Sequence, residues 1–163
     1  YVKFQTFNSK KLVSKNAQKA NYQIENANEK SESQLEMLQK LELSPEMHFE
    51  LINHCKKMKI KFLSTGFDLE SLTFLNLIGI DLFKVPSGEI TNLPYLRSLG
   101  AMGKPVIIST GMADMQEIED ALNVILDAGT QKEAITILHC NSEYPTPMED
   151  VNLNAMNSIK EKF

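Results

Sequence analysis

An α/β fold with a parallel sheet is predicted by three observations. Short β-rich runs alternate with amphipathic helical ones, and glycines fall just after the helical runs. The turn after the first strand, Phe4-Gln5-Thr6-Phe7-Asn8, carries no glycine-rich phosphate loop. That turn favours part of a parallel (β/α)8 TIM barrel, with about five strands present, over a doubly wound dinucleotide fold. At 163 residues the chain can bury one core but not two comfortable ones.

The elements follow in order. Residues 1–7 form the first expected strand, with Lys3 and Gln5 on one side by period-two alternation. Residues 8–30 are polar and show neither period, so they are expected to form a long functional or disordered loop. A helix is expected over 33–40. A second, over 45–58, is announced by Ser44-Pro45-Glu46, a capping hydroxyl before a proline in the first helical turn. Strands are then expected at 60–65, 81–85, 105–110 and 134–140. Helices lie between them at 69–78, 92–99 and 115–128, with Gly79, Gly103 and Gly129 as their stops. A last helix is expected over 152–162. The chain opens inside a strand pattern without methionine and stops at the end of a helical one, so it is expected to be cut from something longer.

Composition narrows the partners. A net charge of -4 argues against nucleic acid, whose phosphates call for clustered cations. No apolar run approaches the ~20 residues of a membrane span. Cys55 and Cys140 lie in a helix-like and a strand-like stretch, which reads as small buried thiols, kept reduced in a cytoplasmic protein.

Polar groups collect at the strand ends. They are Lys3, Gln5 and Thr6; Ser64 and Thr65; Lys84, Ser87 and Glu89; Ser109 and Thr110; and His139, Asn141, Ser142 and Tyr144. A β/α barrel builds its active site from the C-terminal strand ends. Two lysines with several hydroxyls and few carboxylates describe a site for a phosphorylated or carboxylated anion. Glu89 is then the candidate for proton transfer or for holding a sugar hydroxyl. Each residue also has a plainer role. Lys84 could reach solvent, Glu89 could be a helix first-turn acid, and Ser109-Thr110-Gly111 could be turn chemistry. Tyr144-Pro145-Thr146-Pro147 is a rigid turn whatever else it does, and His139 suits a satisfied core histidine. His48 and His54 are expected to be exposed on their helix. The recurrence of polar groups at successive strand ends favours the functional reading.

Six stretches carry a family resemblance. They are Val2-Lys3-Phe4-Gln5-Thr6-Phe7; Glu32-Ser33-Gln34-Leu35-Glu36-Met37; Phe62-Leu63-Ser64-Thr65-Gly66-Phe67-Asp68; Lys84-Val85-Pro86-Ser87-Gly88-Glu89; Ile108-Ser109-Thr110-Gly111-Met112; and Leu138 through Pro147, followed by Glu149-Asp150-Val151-Asn152-Leu153. Together the chain resembles the N-acetylneuraminate (sialic acid) synthase, or NeuB, family almost end to end. The resemblance implies a cytoplasmic transferase of sialic acid biosynthesis that condenses phosphoenolpyruvate with N-acetylmannosamine and releases phosphate. It implies a divalent metal as well, usually Mn2+. Lys3, Thr65, Lys84, Ser87 and Ser109 would hold phosphoenolpyruvate, and Glu89 would be the acid/base or sugar-orienting carboxylate. Gln5, Asn141, Ser142 and Tyr144 would face the amino sugar.

The same resemblance makes residues 1–163 the central part of the barrel domain. The first strand, the later strands with the metal-binding histidines, and a C-terminal antifreeze-like domain would lie outside them. No metal ligand is therefore expected within the chain, the parent enzyme is expected to be a homodimer, and this piece alone is expected to be inactive. Gly66 stands where the family usually has proline, which is expected to loosen that turn. Three alternatives remain: a legionaminate or pseudaminate synthase acting on a diacetamido dideoxy sugar, a Schiff-base aldolase using Lys84 as nucleophile, and an inactive truncated remnant.

Overall fold

The computed structural model describes residues 1–26 and 33–163. Five strands are found: β1 Val2–Thr6, β2 Phe62–Gly66, β3 Phe83–Val85, β4 Val106–Ser109 and β5 Ile135–Leu138. Every ladder among them is parallel. The helices are α1 Ser9–Leu12, α2 Asn21–Asn26, α3 Gln34–Leu41, α4 Pro45–Lys57, α5 Leu69–Leu77, α6 Leu93–Gly100, α7 Met115–Asp127 and α8 Ala155–Lys162. The strands divide into a β1–β2 pair and a β3–β4–β5 sheet. β2 and β3 lie side by side without a shared ladder.

The helix boundaries follow from their caps. The Ser44 hydroxyl accepts from the Met47 N–H with Pro45 in the first turn, and Ser33 forms a reciprocal capping box with Glu36. Gly79, Gly103 and Gly129 all take positive φ, as expected of glycines after helix ends. α8 starts at Ala155, three residues later than its periodicity predicts.

Residues 8–30 are not one long loop. They contain α1 and α2, while the part at 27–30, like Glu32 of the second motif, lies outside the described residues. α1 is too short to show a period, and a tertiary contact holds it. Asn8 caps it, and Ser9 donates through both its backbone N–H (3.1 Å) and its hydroxyl (2.7 Å) to the Glu42 carboxylate.

Register sorts the side chains onto two faces. On one, Phe83, Val85, Val106 and Ile108 pack with Leu72, Leu75, Leu96, Leu99, Ile118 and Ile125, each 2 % exposed or less. Burying each such side chain contributes about 1.5–3 kcal/mol. Phe62 of β2 packs against this cluster, so β2 turns its Phe62–Ser64 side to the same helices. On β1 that side carries Phe4, stacked on Phe62 at 5.3 Å, and Thr6.

The histidine expected to be exposed at 48 is buried here instead. His48 lies edge-on to Phe74, its Nε2 is 2.8 Å from Thr6 Oγ1, and its Nδ1 is 2.8 Å from the Ser44 carbonyl. Thr6 in turn lies 2.7 Å from the Ser64 hydroxyl. A helical periodicity signal rates histidine as polar and cannot foresee a strand hydroxyl waiting to pair with it. His54 is exposed, as expected.

Candidate active site

Alternation places Lys3, Gln5, Leu63 and Thr65 on the second face of β1 and β2, through the pairs Lys3–Leu63 and Gln5–Thr65. Lys84, Ile107, Ser109, Thr136 and Leu138 occupy that face on β3 to β5. The face is a trough: Thr65 and Ser109 are buried in its middle, and Lys3, Gln5 and Leu138 are exposed at its flanks. Thr6 and Ser64, strand-end hydroxyls by sequence, belong to the other face and to His48.

The cations and hydroxyls of the trough converge. Lys84 Nζ donates to Ser109 Oγ at 2.5 Å, and the Cys140 thiol reaches the same oxygen at 3.3 Å. Burial pulls the Lys84 ammonium below the ordinary lysine range; Cys140 opposes the shift and the charge of Lys3 adds to it. Lys3 and Lys84, 81 positions apart in sequence, therefore sense each other across the trough. Thr65 Oγ1 is the one buried side-chain oxygen or nitrogen among the described residues that lacks a hydrogen-bond partner. Such an orphan costs roughly 1–3 kcal/mol.

Three strand-end loops meet at Gly111. Its N–H donates to Ser87 Oγ at 3.0 Å. A Cβ at position 111 would stand 2.8 Å from that oxygen and 3.4 Å from the Asn141 carbonyl carbon, so only glycine lets the loops after β3, β4 and β5 approach this closely. The next residue, Met112, is held at φ 66° and is largely exposed. Thr110 ties the same loop to β5, its hydroxyl donating to the Leu138 carbonyl at 2.9 Å.

Glu89 ends a single 3-10 turn, Ser87–Glu89, rather than a helix first turn. Asn92 Nδ2 donates to its Oε2 at 2.6 Å. Asn92 also caps α6 by accepting from the Tyr95 N–H, and the buried Tyr95 hydroxyl donates to the Gly66 carbonyl at 2.7 Å. The turn at Gly66 is thus pinned rather than loose. Burial raises the Tyr95 phenol above its ordinary range, and nearby Glu89 and Asp68 push it further.

Of the residues expected to meet the sugar, Asn141 is drawn in by the Gly111 contact, and its amide donates to the Asp150 carbonyl at 3.4 Å. Ser142 and Tyr144 lie further along the same loop and are exposed, as is Gln5 at the trough flank. His139 is half-buried just beyond β5. Cys140 is half-buried beside Lys84 and Ser109, not the inert apolar filler its strand-like sequence suggests. Asn92 and Tyr95 were not foreseen as part of the site. The spacing that would have found Asn92 is an N-cap asparagine three residues after Glu89, before Leu93-Pro94.

A sequence model of the NeuB family matches residues 1–163. The chain belongs to the NeuB family. It is 54% identical, over its whole length, to the N,N'-diacetyllegionaminic acid synthase of Campylobacter jejuni, covering 48% of that protein. It is 45% identical over 99% of its length to the enzyme of that name from Legionella pneumophila, covering 46% of it. Among solved structures, the sialic acid synthetase of Leptospira borgpetersenii in complex with citrate superposes with a TM-score of 0.80 at 28% identity. That match takes in 99% of this chain and 50% of that one. The chain spans about half the length of the curated relatives it matches.

No group of three or more His, Cys, Asp or Glu side chains among the described residues is placed to hold a metal ion. The described residues therefore do not fit the divalent cation that the family resemblance implies. No described helix is long and apolar enough to cross a membrane.

Proposed function

We propose that this chain forms the central part of the barrel domain of a legionaminate-type synthase. That enzyme would condense phosphoenolpyruvate with a diacetamido dideoxy sugar. The observation that carries the substrate is the 54% identity to a protein named N,N'-diacetyllegionaminic acid synthase, seconded by a 45% relative of the same name. The expectation of N-acetylmannosamine gives way to the alternative on that ground.

The chemistry suits the trough. Burial disfavours the Lys84 ammonium, the charge of Lys3 adds to that in smaller part, and an anion beside Lys84 and Ser109 offsets both. Phosphoenolpyruvate brings a phosphate and a carboxylate, and one of its oxygens would satisfy the orphaned Thr65 hydroxyl. Ser87 would complete the cradle at the loop end. Carbon 3 of the enolpyruvate adds to the sugar aldehyde carbon, whose oxygen takes up a proton; water adds to carbon 2 and gives up its protons, and the bond between carbon 2 and the phosphate oxygen breaks to release inorganic phosphate and leave a ketone. Glu89, at the exit of the β3 loop, would exchange the proton or orient the sugar hydroxyl, with Gln5, Asn141, Ser142 and Tyr144 on the sugar side. The cation, proposed as Mn2+, would be ligated by residues other than those described, and no step here runs through it.

The test is a substrate comparison with the full-length protein, phosphoenolpyruvate and Mn2+, reading phosphate release. kcat/KM for the diacetamido dideoxy sugar should exceed that for N-acetylmannosamine by at least about a hundredfold, since a site that hydrogen-bonds a second acetamido loses those bonds with a sugar that lacks it. A preference for N-acetylmannosamine overturns the assignment.

A further inference from the structure

We infer that Asn92 is the positioning residue for Glu89, and that it does more than cap α6. The inference rests on Glu89 being the reacting carboxylate. The polarity of the amide is fixed by the helix: Oδ1 accepts the Tyr95 N–H at 3.3 Å, which leaves Nδ2 turned toward Glu89, 2.6 Å from Oε2. The backbone joins the same clamp, because the Asn92 N–H donates to the Glu89 carbonyl at 3.1 Å. One carboxylate oxygen is thereby held, and no described residue bonds to Oε1, which is left to act on a ligand.

The choice of residue is informative. An N-cap needs only an acceptor, which serine, threonine or aspartate supplies equally well. Asparagine carries its acceptor and its donor on separate atoms, so Oδ1 can cap the helix while Nδ2 reaches back to Glu89. α6 is itself anchored: Tyr95 is buried at 1 % exposure, with its hydroxyl on the carbonyl of Gly66, the residue after Thr65. The clamp on Glu89 is therefore referred, through Asn92 and Tyr95, to the end of β2 on the other side of the site.

Substitutions that delete the donor at little cost to the cap separate the two roles. Asn92→Gly removes the amide and leaves a residue that an N-cap tolerates, so it should melt within about 2 °C of the parent protein. In the full-length enzyme, turnover should fall about tenfold, a part of the 10²–10⁴ that a positioned acid/base contributes. The Michaelis constant for phosphoenolpyruvate should stay put. The double variant Asn92→Gly with Glu89→Gln should be no slower than Glu89→Gln alone, because the donor acts only through that carboxylate.

Parental turnover in Asn92→Gly overturns the inference. So does a risen Michaelis constant for phosphoenolpyruvate, or a double variant slower than Glu89→Gln by the same factor that Asn92→Gly costs alone. Should Asn92→Gly melt early, the double variant compared with Glu89→Gln, at a temperature where both are folded, carries the same comparison. Parental turnover in Glu89→Gln is a different result, which removes Glu89 from the reaction and so fails the proposed function first.

Discussion

On the helix-covered face of the strands, Phe83, Val85, Val106 and Ile108 are at most 1 % exposed, and each meets apolar neighbours. One residue along the same strands, the other face presents Lys84 and Ser109. There, burial works against the groups it covers: an ammonium is pulled below its ordinary range and a threonine hydroxyl has no partner. The difference teaches where stability and chemistry reside. The covered face supplies the apolar burial that holds the strands in place, and against that support the other face keeps unfavourably placed polar groups ready for a ligand.

The comparison breaks most visibly at Glu89. It is half-buried in a one-turn helix, held by an asparagine amide, and no core contact depends on it. Glu89→Gln keeps the size and the acceptor, so stability should not change. Turnover of the full-length enzyme should fall about 10²–10⁴-fold with the Michaelis constant for phosphoenolpyruvate barely moved. Steady-state kinetics alongside a thermal melt decide it, and a melt that drops with turnover would mean that Glu89 belongs to the structural face.

Lys84→Ala comes next. A charge-assisted bond from this ammonium to an anion contributes roughly 1.5–3 kcal/mol, so the Michaelis constant for phosphoenolpyruvate should rise about ten- to a hundredfold. The pH dependence has a definite sign. Folding lowers this group's pKa from 10.5, so the unfolded chain holds more protons in the window just below that value. Its contribution to stability therefore rises with pH through that window. Anion binding runs the other way, because it needs the ammonium, and affinity should fall as the pH rises through the lowered pKa. Calorimetric titration of phosphoenolpyruvate across alkaline pH, in the parental protein and in Lys84→Ala, should show the fall only in the former.

How much of this was legible in the sequence depends on the range of the signal. Alternation in Val2-Lys3-Phe4-Gln5 gives the two faces of β1, and Gly79, Gly103 and Gly129 give the ends of helices, because both are local. The succession of strands was also readable, and the recurrence of polar residues at strand ends marks positions 3, 65, 84, 87 and 109 as candidates for an anion. What was not legible depends on partners distant in the chain. His48 is buried because Thr6, 42 positions away, faces it. α1 forms because Glu42 holds Ser9 across 33 positions. The missing ladder between β2 and β3 leaves no trace in either strand's own pattern.

Tyr95 joins the two faces, and it offers the smallest and most discriminating effect. Its ring lies in the apolar cluster at 1 % exposure, while its hydroxyl donates to Gly66 at the end of β2, beside Thr65. Tyr95→Phe keeps the ring and its burial and leaves the Gly66 carbonyl short of one donor. The loss should be about 1 kcal/mol of stability in the full-length protein, read by denaturant titration at unchanged m-value. The Tyr95 phenol lies above its ordinary range, so the hydroxyl stays a neutral donor and the cost should not vary between pH 6 and about 9. Because the hydrogen bond fixes a turn and touches no ligand, the Michaelis constant for phosphoenolpyruvate should change by less than about threefold. If it rises as far as in Lys84→Ala, the turn after β2 sets the position of Thr65 directly. The two faces would then be coupled through this one hydroxyl rather than built independently.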